Sequence, residues 1–191
     1  MKTEIIFLLD RSGSMAGLEK DTIGGFNALI KKQCQLEGET LVTTVLFDNY
    51  YELLWDGIQA EKVRLTEEEY FVRGSTALLD AIGKTIVDVN YRITNARPHE
   101  KPDNVLFVIT TDGLENSSKE YRYGKIQEMI RKQQENHGWE FIFLGANIDA
   151  AKEASHLGIE VEHAKSFEAT SVGVEVMFDT IHEEISMRRN K

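Results

Sequence analysis

A chain of 191 residues is the size of one ordinary domain, and residues 1–191 are read here as a single one. At 41% hydrophobic residues it can bury a core, and its lone cysteine, Cys34, excludes an internal disulfide and suits a reducing, cytoplasmic setting. A net charge of -10 disfavours nucleic acid as a partner, the apolar start before Asp10 is too short for a secretion signal, and no run approaches the roughly 20 apolar residues of a membrane span.

The chain opens on Ile5-Ile6-Phe7-Leu8-Leu9, which ends abruptly in Asp10-Arg11-Ser12-Gly13-Ser14-Met15. A short apolar run bounded by turn chemistry reads as a buried strand with a loop leaving its carboxyl end. Ile23, Phe26, Ile30 and Cys34 recur at three- and four-residue steps and predict a helix with one buried face. Gly24-Gly25 weakens that helix but lets another backbone approach, and Gly38 stands where a glycine would stop it. Leu41 to Phe47 reads as a second strand, Asp48-Asn49 as a two-residue turn, and Tyr50 to Trp55 as a third strand paired antiparallel.

Residues 56–75 are irregular, with Thr66-Glu67-Glu68-Glu69 read as the solvated first turn of a short helix. Leu79, Ile82, Ile86, Val89 and Ile93 form the stripe of a long helix. Val105 to Ile109 is a fourth strand, ending in Thr110-Thr111-Asp112-Gly113. The order continues with a helix over about 118–134 closed by His137-Gly138, and a strand from Trp139 to Leu144. A short helix over about 149–156, a sixth strand around Val161 and a last helix carrying Val174, Met177, Ile181 and Ile185 complete it. Strands alternating with amphipathic helices predict an α/β fold: a mostly parallel sheet, one antiparallel edge strand, and helices on both faces.

Asp10, Ser12 and Ser14 place oxygen donors at alternating positions on a strand tip. Gly74-Ser75-Thr76 precedes the long helix, and Asp112 ends the fourth strand. Ligands of open α/β sheets bind outside the carboxyl ends of strands, where strand order reverses. If the first and fourth strands are neighbours there, Asp10, Ser12, Ser14, Thr76 and Asp112 surround one cation. Such an all-oxygen set suits Mg²⁺ (or Mn²⁺ or Ca²⁺), and the lack of Cys or His in these loops argues against zinc. Singly, each residue is weak: Thr76 alone reads as well as a helix cap.

Together, Asp10-Arg11-Ser12-Gly13-Ser14, Gly74-Ser75-Thr76 and Thr111-Asp112-Gly113 resemble the von Willebrand factor type A (VWA) domain and its metal-ion-dependent adhesion site (MIDAS), spelled D-x-S-x-S, T, D. The resemblance covers nearly the whole chain. It implies a Rossmann-like, doubly wound six-stranded sheet of order 3-2-1-4-5-6. It further implies that Ser12, Ser14 and Thr76 offer hydroxyls to Mg²⁺, that Asp10 and Asp112 hold the ion partly through water, and that a partner protein's Asp or Glu fills the open position. Without a secretion signal, the chain looks like the stand-alone bacterial or phage versions of that family.

Other residues carry less. The five histidines show no zinc spacing. Asp80 fits a residue behind the metal ligands as well as a cap or a surface ion pair, and Glu115 and Asn116 fit the site's rim as well as a turn. Trp55, Trp139, Phe141, Phe143 and Cys34 read as packing. A Mg²⁺-dependent protein-binding module is the leading function and a non-enzymatic one. The alternative is a metal-dependent phosphohydrolase using Asp10, against which Ser12 stands where a second acid is wanted and no Walker loop or G-x-S-x-G elbow occurs.

Overall fold

The opening strand is apolar throughout because the sheet continues on both sides of it. In the computed structural model, which describes residues 1–189, β1 (Lys2–Asp10) runs parallel to β2 (Glu39–Phe47) on one side and β4 (Asn104–Thr111) on the other. β5 (Glu140–Gly145) and the short β6 (Ala164–Ser166) extend the sheet in parallel, and β3 (Tyr51–Gln59) closes the opposite edge antiparallel to β2. The order is β3-β2-β1-β4-β5-β6. Strand order therefore reverses between β1 and β4, so their carboxyl ends flank the crevice of a doubly wound sheet.

Successive side chains on a strand point to opposite faces. Ile5, Phe7 and Leu9 face a layer made by α1 (Glu19–Cys34) and α5 (Ser171–Arg189). Ile6 and Leu8 face α2 (Leu78–Asn95), α3 (Tyr123–His137) and α4 (Ala150–Leu157). All five β1 side chains are at most 1% exposed, each burial contributing about 1.5–3 kcal/mol. Trp139, Phe141 and Phe143 lie in this core as expected, while Trp55 is half-buried and stacks on Phe26 at 6.1 Å. Cys34 is half-buried at the edge of the α1 face.

Several boundaries differ from the sequence reading. The hairpin turn holds Asp48, Asn49 and Tyr50, because Asp48 Oδ1 accepts the Tyr50 N–H at 2.6 Å and defers β3 to Tyr51. Thr66–Glu69 closes on itself as one isolated turn: the Glu69 carboxylate accepts the Thr66 N–H at 2.9 Å, and no helix follows. The α3 helix starts at Tyr123 instead of near 118, since Asp80 holds the N–H groups of Lys119, Glu120 and Tyr121. Val161 belongs to a 3-10 turn and is 56% exposed; pairing with Phe143–Gly145 selects Ala164–Ser166 as β6.

Two glycines have roles other than those expected. At Gly25 a Cβ would lie 2.2 Å from the Phe178 ring, so the close approach is that of an α5 side chain, not a backbone. Gly38 lies beyond the Gln35 cap of α1, at φ +99°, in the turn into β2. A Cβ there would sit 2.5 Å from the Met1 carbonyl and 3.8 Å from the Arg189 guanidinium. No helix among the described residues is long and apolar enough to cross a membrane.

Candidate metal centre

The β1 tip forms its loop by local hydrogen bonding. Asp10 Oδ1 accepts the Ser12 N–H at 2.7 Å, and a 3-10 turn over Gly13–Met15 carries the chain towards α1. Arg11 N–H donates to the Phe47 carbonyl at 2.8 Å, which continues the β2 ladder past the strand end. Tyr70 donates its hydroxyl to the Asp10 carbonyl at 2.7 Å from a fully buried position. The backbone carrying the first acid is thus pinned from three directions.

The β4 tip meets it directly. Asp10 Oδ2 accepts from Thr111 Oγ1 at 2.8 Å and from the Asp112 N–H at 3.3 Å. Asp112 Oδ1 is 2.6 Å from Ser14 Oγ, and Ser14 Oγ is 3.1 Å from Ser12 Oγ. With Asp112 ionised, Ser14 must donate to it, and Ser12 then donates to Ser14. Both serine oxygens keep lone pairs for a cation. Asp112 Oδ2, by contrast, is buried without a hydrogen-bond partner.

Thr76 arrives from a third direction. Gly74 takes φ +66°, and a Cβ there would fall 1.9 Å from Asn49 Oδ1, so only glycine lets the strip turn here. Its carbonyl accepts the Gly13 N–H at 3.0 Å, which ties the strip to the β1 loop. A Cβ at Gly113 would lie 3.8 Å from Thr76 Oγ1 and 4.0 Å from Ser14 Oγ, placing all three segments around one point. The five sequence-predicted residues therefore come together. Asp10, Ser12, Thr76 and Asp112 are at most 4% exposed, while Ser14 faces the opening.

Burial is the main cause that pushes the Asp112 carboxyl up to about 6; the neighbouring Asp10 adds to it and the Ser14 hydrogen bond opposes it. Two acids side by side, three hydroxyls and an unpartnered buried oxygen form an all-oxygen set that fits a hard divalent cation.

Residues for which the sequence left two roles open, and one it did not single out, support this set and the segments around it. Asn116 Oδ1 accepts the Thr76 N–H at 2.9 Å, and the Thr76 carbonyl accepts from the N–H groups of Asn116 and Ser117. Glu115 caps α2 from outside its own chain segment, accepting the Leu79 N–H at 3.0 Å. Asp80 does not cap its own helix and, among the described residues, forms no ion pair; it fixes the 119–121 backbone. Asn116 thus touches a residue of the set, while Glu115 serves the 115–118 turn and the start of α2. Thr111, whose hydroxyl donates to Asp10, has no role in the sequence reading, although its place just before Asp112 at the strand end was the signal for it.

No family model matches the sequence, and no curated protein does. Solved structures do match in shape. The vWF domain of the type V pili tip protein Mfa5 from Porphyromonas gingivalis aligns at TM-score 0.68 and 12% identity, over 97% of this chain and 95% of that one. Proximal thread matrix protein 1 from the mussel byssus, solved with a zinc-occupied MIDAS motif, aligns at 0.66 and 13%, over 96% of this chain but 45% of its own. Manganese-loaded TRAP protein of Plasmodium vivax aligns at 0.64 and 16%, over 92% and 71%. This chain spans less than half the length of the mussel protein. It carries the VWA fold.

Proposed function

We propose that residues 1–191 form one Mg²⁺-dependent protein-binding domain that captures an acidic side chain of a partner protein. One observation carries the reading: three loops far apart in sequence converge five oxygen donors on one crevice, with Asp112 Oδ2 buried there and unpartnered. Asp10, Ser12, Ser14, Thr76 and Asp112 would hold the ion, with Mn²⁺ or Ca²⁺ as substitutes. Three of these donors are neutral hydroxyls, so a bound cation keeps net positive character and draws an incoming carboxylate. The zinc-occupied MIDAS motif of the mussel protein and the manganese-loaded state of the Plasmodium protein support the reading by analogy of fold.

A phosphohydrolase would need Asp10 as a free nucleophile. Its Oδ1 is taken by Ser12 N–H, and its Oδ2 by Thr111 Oγ1 and Asp112 N–H. Held this way, Asp10 is suited to anchoring rather than attacking.

Titration calorimetry with Mg²⁺ and Mn²⁺ tests the site. The wild-type chain should bind, and Asp10→Ala and Asp112→Ala should lose binding with an unchanged circular dichroism spectrum. Equal metal affinity in all three proteins refutes the assignment.

A further inference from the structure

Arg73 lies three residues before Thr76, on the strip that runs into the crevice. Its N–H donates to the Arg11 carbonyl at 2.9 Å, and the next carbonyl, Gly74, accepts from Gly13, so the strip follows the β1 loop along its length. The side chain is held just as firmly. Nε donates to the buried Asp48 carboxylate at 2.7 Å. The guanidinium carbon stands 5.4 Å from the Tyr50 ring centre and 5.3 Å from that of Phe71. Phe71 in turn rests on Arg11, at 5.2 Å, and Arg11 is wholly buried and paired with Glu52 at 2.7 Å.

The result is a chain of contacts from the floor beside the crevice to the surface: Arg11, Phe71, Arg73, Tyr50. Its outer end is open. Tyr50 is 64% exposed and Phe71 43%. Asp48 occupies only the Nε side of Arg73, and among the described residues Nη1 and Nη2 donate no hydrogen bond. A guanidinium fixed on aromatic rings presents its remaining donors as a planar fork that matches a carboxylate. Because its rotamer is already set, little entropy is lost when that fork is engaged. Tyr and Arg are also the residue types that dominate binding energy at protein interfaces. On a chain of net charge -10, an exposed cation beside the crevice supplies what an acidic segment requires.

We infer that the Tyr50–Phe71–Arg73 ledge is a second contact site for the partner, taking another carboxylate of an acidic segment whose first acid docks at the crevice. The inference rests on the metal-bridge reading above, and the test separates the two. The probes are capped glycine peptides bearing one Asp, or two Asp separated by a graded number of glycines. Each is titrated into the full chain in Mg²⁺ and followed by NMR, with the Arg73 side-chain N–H as reporter.

The best-spaced two-acid peptide should bind wild type about tenfold more tightly than the one-acid peptide. Arg73→Gln should erase that advantage while binding Mg²⁺ and the one-acid peptide unchanged. Arg73→Lys should keep only part of it, since a point charge has no fork. Tyr50→Ala, which leaves Arg73 in place, should cut it a few-fold. No two-acid advantage in wild type, or one that survives Arg73→Gln, overturns the inference. One-acid binding that ignores EDTA overturns the metal bridge alone, and the Arg73 comparison still decides the ledge. No peptide binding by the Mg²⁺-loaded chain overturns both.

Discussion

β1 carries a buried acid near each end, and the fold treats the two differently. Glu4 is wholly buried; its Oε1 accepts from Thr43 Oγ1 at 2.6 Å and pairs with Arg92 from α2, which also reaches Asp56 at 2.6 Å. At the other end Asp10 and Asp112 are each 2% exposed, and among the described residues no Lys, Arg or His forms an ion pair with either. Each end keeps one buried carboxylate oxygen without a hydrogen bond, Glu4 Oε2 and Asp112 Oδ2. Hydrogen bonding therefore does not separate them. Charge does: the Glu4 end is neutralised by a cation of the chain itself, whereas at the Asp10 end the proposed metal would supply the positive charge.

That contrast can be broken by experiment. Arg92→Ala strands Glu4 and should cost about 3 kcal/mol of unfolding free energy in urea, at the lower end for a broken buried pair because Arg92 keeps some solvent contact. It should leave Mg²⁺ affinity unchanged; a lost affinity would show that the two ends are not independent. Saturating Mg²⁺, at about a hundredfold over its dissociation constant, should stabilise wild type by about 2.7 kcal/mol. The same addition should do nothing for Asp112→Ala. Asn116→Ala frees Thr76 N–H without touching a donor oxygen, and calorimetry should show Mg²⁺ binding weakened by about tenfold.

The last prediction is graded by pH. Asp112 is raised in the folded state from 3.8 to about 6, so the metal-free fold holds its proton more tightly than the unfolded chain does. This contribution to stability is complete below pH 3.8 and is lost as pH climbs through about 6. Denaturation of the EDTA-treated protein should show stability falling across that window, and Asp112→Asn should flatten the fall. With Mg²⁺ present the trend should reverse, because the ion requires the deprotonated carboxylate. A metal-free profile that rises with pH would count against Asp112 as the strained acid.

What the sequence disclosed and what it hid follow from range. The apolar run into Asp10 shows a central strand because burial on both faces leaves no room for polar alternation. Asp10, Ser12 and Ser14 alternate within one loop, and Asp112 ends another apolar run, so the placement of both acids was readable once β1 and β4 were taken as neighbours. The support was only half readable: Asp80 and Asn116 stood out as candidates, but their partners did not. Asp80 meets its backbone partners 39–41 residues away, and Asn116 meets Thr76 across 40. Neither spacing leaves a local pattern. The same long reach explains the late start of α3: Ser118 and Glu120 look like a helix entrance, yet Asp80 already holds their stretch of backbone. Arg11 was passed over because its partners, Asp48 and Glu52, lie on the β2–β3 hairpin.

Gly38 has a bearing on how the domain is handled. Its bare Cα lets the first residue and the last turn of α5 settle at one spot, at the amino-terminal end of β1 and β2. The crevice lies at the far end of β1, nine residues on, or roughly 25–30 Å away. A tether leaving from Met1 or from the end of α5 would therefore start at the pole opposite the crevice. Immobilised that way, on a bead, a sensor chip or a longer polypeptide, the molecule would hold the crevice outward.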